Sequence, residues 1–314
     1  IAWLWARTVK SPNPAFSHVD VPLASSFILS SKAGKEAWVQ PVVEGDSYRF
    51  EVRTGKPPES AKAGTTAGKR AAFICLMSGV PIDYKYIRAE GIAGRMGQRL
   101  MAIVAAGQRG RIYLAPTADQ IAIAESAKPV WSPEMDLPNN PRDFKTPNYG
   151  LTKFGDLFTP RQLVALTTFS DLVPEAIARI RADALAAGMA DDGRGLDAGG
   201  NGATAYAEAV GVYLAFACSR LTDRFSTVCA WDSHKSAEKI RNTFGRQAIP
   251  MTWDYAEANC FTDSSGSFSV QCEYIAKSMR EFPAMAAGFA GQADAQSQTI
   301  SANKVISTDP PYYD

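Results

Sequence analysis

Apolar and polar positions alternate with period two over Tyr48-Arg49-Phe50-Glu51-Val52-Arg53, which predicts a strand with one buried face. The preceding run, Glu36-Ala37-Trp38-Val39-Gln40-Pro41-Val42-Val43, is extended and apolar, and Glu44-Gly45-Asp46-Ser47 between the two has turn chemistry. Ala72-Phe73-Ile74-Cys75-Leu76-Met77 and Arg111-Ile112-Tyr113-Leu114 read as further short strands. After Gly94, the spacing of Met96, Leu100, Ile103 and Val104 predicts a helix. Residues 55–70 lack an apolar period and are rich in Gly, Pro and Lys, which predicts a mobile loop. Residues 127–150, rich in Pro and Asn, predict a linker or a loop laid over a surface.

The period then changes to helical. Thr159 is an N-cap and Pro160 takes the first helical position, where its missing N–H costs nothing. Leu163, Ala165, Leu166 and Phe169 continue the stripe to Leu172, and Pro174 predicts an interruption before Ala176-Ile177-Ala178-Arg179-Ile180. Residues 190–202 break the helix, residues 203–222 form another, 236–241 a shorter one and 271–282 the last. Lys304-Val305-Ile306-Ser307 predicts a short strand that runs into Thr308-Asp309-Pro310-Pro311-Tyr312-Tyr313-Asp314. The chain contains no internal repeat.

Composition narrows the function classes. The 314 residues are 46% hydrophobic and 21% charged, which excludes a disordered chain, a collagen-like repeat and a disulfide miniprotein. Lys and Arg total 33 against 32 Asp and Glu, so nucleic acid would have to be held by a local patch rather than by a global field. Five cysteines, with no Cys-x-x-Cys pair, read as reduced and mostly buried thiols of a cytoplasmic protein. No apolar window is long enough to span a membrane. The start, Ile1-Ala2-Trp3-Leu4-Trp5-Ala6-Arg7, is not a signal peptide, and both ends have the look of an excised piece.

The chemistry concentrates at the end of the chain. A strand that ends in Asp309-Pro310-Pro311-Tyr312 turns at its carboxyl edge, where open α/β sheets bind ligands. Asp309 and the Pro310 carbonyl can accept the two N–H groups of an exocyclic amine, Pro311 stiffens the turn, and Tyr312 can stack on a base. That combination suits methylation of adenine by positioning and hydrogen-bond polarisation. By contrast, Asp232-Ser233-His234 lacks the glycine elbow of a hydrolase nucleophile.

With these residues in view, the chain resembles the adenine-specific DNA methylases that carry a zinc-ribbon-like insert. The likeness is carried by Leu4-Trp5-Ala6-Arg7-Thr8-Val9-Lys10, Tyr86-Ile87-Arg88-Ala89-Glu90-Gly91 and Phe154-Gly155-Asp156-Leu157-Phe158-Thr159-Pro160-Arg161-Gln162. It continues in Ile240-Arg241-Asn242-Thr243-Phe244, in Gln247-Ala248-Ile249-Pro250-Met251-Thr252-Trp253-Asp254-Tyr255-Ala256-Glu257-Ala258-Asn259 and in the Asp309–Tyr312 turn. The resemblance implies an α/β fold (α+β as a fragment), a partial Rossmann-like methyltransferase. It also implies four regions: a β-rich insert over 1–116, a linker with a short helix over 117–150, a mostly helical region over 151–298 and the catalytic strand over 299–314.

It further implies S-adenosylmethionine as cofactor, with Asp309, Trp253 and Asp254 at its site, and DNA as partner, with Arg241, Arg246 and Gln247 contacting it. Restriction or defence proteins are the expected associates. The family's glycine motif for the cofactor is absent, and Asp197-Ala198-Gly199-Gly200-Asn201-Gly202 follows no apolar strand, so it reads as an interhelical loop. The family's four insert cysteines correspond to Ser11, Phe16, Cys75 and Ser78, which leaves one thiol and argues against zinc. The rival expectations are a nucleic-acid-binding specificity module without catalysis, and methylation of RNA or of a protein amide.

Overall fold

A computed structural model describes residues 1–68, 72–108, 110–281 and 291–308. The chain divides into two units, Ile1–Ala276 and Lys277–Asp314. The first is a mixed α/β structure whose named strand pairs are all antiparallel among the described residues.

Its centre is β1 (Ala2–Lys10), almost wholly buried. Along one side, residues 2–6 of β1 pair with a strand from far along the chain, Asp254–Ala258 (β12 in chain order), and residues 7–10 pair with β2 (Asp20–Leu23). Along the other side lies β8 (Gly97–Gly107), with a register shift between Leu4 and Trp5, and β8 continues as a hairpin into β9 (Gly110–Leu114). The helix predicted after Gly94 is therefore a strand. Leu100-Met101-Ala102-Ile103-Val104 is buried residue after residue between β1 and β9. A continuous apolar run satisfies helical spacing by accident, and periodicity cannot separate the two cases.

A second sheet combines β3 (Ile28–Ser30), β4 (Ala37–Glu44) and β5 (Ser47–Thr54), with the predicted turn joining β4 to β5. Pro41 lies in β4 beyond the stretch paired with β3, so its missing N–H costs no ladder bond on that side. Tyr48 ties the two sheets together. Its hydroxyl donates to the Asp20 carbonyl at 2.7 Å, and the Arg99 guanidinium lies 4.0 Å from its ring centroid. The predicted loop over 55–70 contains a one-turn helix, α1 (Glu59–Ala63), pinned by the buried Ala61. Two short strands, Phe73–Ile74 (β6) and Pro81–Ile82 (β7), form a hairpin.

Helix α2 (Tyr84–Ile92) follows, capped by Asp83, and after the central hairpin comes α3 (Ala118–Glu125), capped by Thr117 and Gln120. The Pro/Asn-rich segment lies on a small apolar cluster of Leu137, Leu157, Val228 and Ile249. α4 (Pro160–Ala186) and α5 (Ala203–Leu221) form an antiparallel hairpin. Pro174 does not interrupt α4, a helix held by its packing along α5. The loop between them is ordered by the Asp191 carboxylate, which accepts from the Thr204 N–H at 3.1 Å, the Thr204 hydroxyl at 2.8 Å and Arg181 at 3.0 Å. These bonds hold the Asp191 carboxyl down at about 2. The helix predicted over 236–241 is instead the second strand of a hairpin, Trp231–Asp232 (β10) with Lys239–Ile240 (β11). The last helix among the described residues is α6 (Phe268–Glu281).

In the second unit the described residues 291–308 carry turns, such as the one in which Ser301 N–H donates to the Gln298 side chain at 3.1 Å. The strand predicted over 304–307 does not form, and Val305 and Ile306 are exposed. Four residues without a ladder partner cannot sustain an extended strand. Asp309, Pro310, Pro311 and Tyr312 lie outside the described residues. Among the described residues, no helix is long and apolar enough to cross a membrane.

Candidate functional site

Alternation along β1 places Trp3 and Trp5 on one face of the central sheet, and the register sets Trp3 opposite Glu257 and Trp5 opposite Tyr255. Two helices approach this face. α4 enters through a capping box in which the Thr159 hydroxyl accepts from Gln162 N–H at 3.2 Å and Gln162 Oε1 accepts from Thr159 N–H at 2.9 Å. The cap fixes the first turn and so aims Arg161 at the sheet. The Arg161 guanidinium lies 4.3 Å from the Trp5 ring centroid and forms a two-pronged pair with Glu257, at 3.0 Å to Oε2 and 2.9 Å to Oε1. The Thr159 hydroxyl adds a third donor to Glu257 Oε1 at 2.5 Å. Glu257 is buried, and these three bonds offset a desolvation cost of several kcal/mol per ion.

Above this pair opens a cavity of about 510 Å³. Its walls are Trp3, Trp5, Phe225 and Phe261, with Ile123 and Ala124 of α3 at the rim and Gln162, Glu257 and Asn259 among its polar groups. Phe261 is 84% exposed at the mouth. Two of the lining residues carry a buried donor with no hydrogen-bond partner among the described residues: Trp5 Nε1 and Gln162 Nε2. A buried donor left this way costs about 1–3 kcal/mol. Burial pushes the Tyr255 hydroxyl upward in pKa, and the Glu257 charge adds to the shift.

The residues expected at the cofactor site lie elsewhere. Trp253 sits in an aromatic cluster, edge-on to Phe73 at 5.3 Å and to Tyr149 at 4.9 Å. Asp254 opens β12 on the face opposite Glu257, and its carboxylate accepts from the Ser25 N–H at 2.7 Å beside a cavity of about 50 Å³. Neither residue lines the larger cavity. Arg241 follows β11, exposed and paired with Asp232 at 3.2 Å, while Arg246 and Gln247 are exposed on the same loop, next to the half-exposed Phe244.

The degenerate insert positions do come together in part. Ser11 Oγ and Cys75 Sγ are 3.2 Å apart and buried. Burial raises the Cys75 thiol, but hydrogen bonds from Ser11 and from the Met77–Ser78 stretch outweigh it and hold it below the usual value. Phe16 packs against the apolar core. One thiol, one aromatic ring and two hydroxyls do not fit a tetrahedral zinc site. Among the described residues, no group of three or more His, Cys, Asp or Glu is placed to hold a metal ion.

Sequence reasoning passed over Trp3, Trp5, Arg161, Gln162 and Glu257 as site residues. The signals were present: Trp3-x-Trp5-x-Arg7 at strand period, and Thr159-x-x-Gln162 as a capping box. No protein-family model, curated protein or solved structure matches this chain.

Proposed function

We propose that this chain is part of an S-adenosylmethionine-dependent methyltransferase that modifies the N6 amino group of adenine in DNA. In this reading Asp309 and the Pro310 carbonyl hold the amine of a partly Rossmann-like enzyme's substrate, and Tyr312 stacks on the extruded base. S-adenosylmethionine supplies the methyl group. The exposed loop with Arg241, Arg246 and Gln247 contributes phosphate and base-edge contacts.

One observation carries the reading. Three segments that bear the family resemblance lie far apart in the chain, even Arg161 and Glu257 being 96 residues apart, yet they converge on one surface. Trp5 comes from the first, Arg161 and Gln162 from the second, and Glu257 and Asn259 from the third. Polar and aromatic residues from distant motifs that line one cavity support a shared site there.

The test is methyl transfer from radiolabelled S-adenosylmethionine to duplex DNA by the chain expressed with its genomic flanking sequence. Label recovered as N6-methyladenine, with loss of at least about a thousandfold in Asp309→Ala, is the expected result. DNA binding without any label would assign the chain to the specificity modules instead.

A further inference from the structure

We propose that the free edge of β9 pairs antiparallel with the same strand of a second copy, so that the central sheet continues across a two-fold axis at Ile112. The inference concerns assembly and owes nothing to the methyl-transfer reading.

β9 ends the strand order β12–β1–β8–β9. Gly107 and Gly110 face each other at the end of the hairpin, and residues only three apart can do so only as a hydrogen-bonded pair. Alternation settles the rest of the strand. Ile112 and Leu114 spend their N–H and C=O groups on Ala105 and Ile103 of β8, while Arg111 and Tyr113 point theirs outward. Those outward backbone groups have no hydrogen-bond partner among the described residues.

Native sheet edges are guarded by lysine, proline or a bulge. Gly110-Arg111-Ile112-Tyr113-Leu114 contains neither residue, and its register on β8 is unbroken. Its one charge does not stand guard, because the Arg111 guanidinium pairs with Glu238 at 3.3 Å and lies 5.7 Å from the Trp231 ring centroid. On the opposite face, Leu114 sits beside Ile103, which packs with Trp5. The apolar face of the sheet runs on to this edge and stops uncovered there, with Ile112 45% and Leu114 44% exposed.

A second copy is the occupant that fits. Antiparallel pairing about Ile112 sets Arg111 opposite Tyr113 of the second copy and Tyr113 opposite its Arg111, so every outward group of the strand meets another. Each guanidinium then faces an aromatic ring, and Gly110 leaves room for Leu114. Ile112 meets its own copy in a non-hydrogen-bonded pair, where side chains lie closest. A shift by one pair in either direction sets Arg111 against Arg111 or Tyr113 against Tyr113, and sends the remaining outward groups past the strand.

The whole chain is followed by analytical ultracentrifugation over a range of concentrations. A reversible dimer with a Kd on the order of micromolar is expected for an interface built on one short strand. Ile112→Lys sets two ammonium groups on the axis and raises that Kd at least about tenfold. Circular dichroism verifies that the variant is folded.

A crosslink reads the register. Cα atoms in a non-hydrogen-bonded pair are ~4.5 Å apart, within disulfide reach, so Ile112→Cys joins two chains in oxidised glutathione. Leu114→Cys is similarly exposed, but its two copies lie about 14 Å apart along the strands, and it stays unjoined. Covalent dimer from the first variant alone, above the level that wild type gives with its own thiols, is the expected result. A wild-type chain that stays monomeric at every concentration overturns the proposal. So does a dimer that Ile112→Lys leaves undiminished, or equal crosslinking by the two cysteine variants.

Discussion

At the residue scale, the decisive side chains are charges taken out of water. Arg7 is buried, and burial lowers its affinity for the proton. It keeps its charge by donating to the Thr252 carbonyl at 2.8 Å and the Thr227 hydroxyl at 2.8 Å, and so staples two distant loops to β1. Asp254 shows the opposite sign. Burial raises its carboxyl above the ordinary aspartate value, and the Ser25 N–H only partly opposes this. An unfolded aspartate gives up its proton near ~3.9, whereas the folded one holds it to higher pH. Between those two values the native state binds more protons than the unfolded state. Its contribution to stability is therefore full below the unfolded pKa and is lost as pH rises through the folded one. Asp254→Asn keeps an oxygen for the Ser25 N–H and carries no charge. It should flatten the pH dependence in that window and exceed wild type in stability at neutral pH. Urea midpoints measured from acid to neutral pH check this, and an unchanged slope would remove Asp254 from the account.

At the scale of elements, caps and close approaches set the angles. Thr159 and Gln162 fix where α4 begins, and Arg161 reaches Trp5 and Glu257 because of that start. α2 meets the turn over Thr146–Tyr149 without side chains between them. A Cβ on Gly91 would overlap the Tyr149 backbone, and Gly150, at φ +83°, returns the contact against the Gly91 carbonyl. In the α4–α5 hairpin, a Cβ on Gly211 would meet only the Ile177 side chain. Backbone cannot step aside, whereas the end of an isoleucine can. Gly91→Ala should lower stability by about 1–3 kcal/mol despite the better helix propensity of alanine. Gly211→Ala should stay within about 1 kcal/mol of wild type, since the propensity gain offsets the crowding. Thermal unfolding of the two variants side by side tests this contrast, and equal losses would contradict it.

At the scale of the molecule, chain order and spatial order part company. β1 opens the sequence, yet one flank is closed by β12, some 250 residues later, and the resemblance would place that strand in a different region. Expressed alone, residues 1–116 would lack that partner for Ala2–Ala6 and the first turn of α4 over Trp5. An uncovered strand edge beside two indoles favours association rather than a folded monomer. Such a fragment should be aggregated or unfolded by light scattering and circular dichroism. A monodisperse fragment with dispersed amide resonances would show that the region folds by itself.

The sequence alone determined what is local. The β4–β5 hairpin follows from alternation around Glu44–Ser47, the start of α4 from Thr159-Pro160, and the break before α5 from its glycines, because a few neighbouring residues decide each of these. Tertiary structure decided what depends on partners. It made a strand of the run around Leu100–Val104, carried α4 through Pro174, withheld a strand from Lys304–Ser307 and made a hairpin strand of Lys239–Ile240. It also gathered Trp3, Trp5, Arg161, Gln162 and Glu257 at one cavity. Period and propensity describe a segment's own preferences. Which face is buried, and which charge finds its counterpart, depends on the pairing of β1 with β12, and no stretch of sequence contains both.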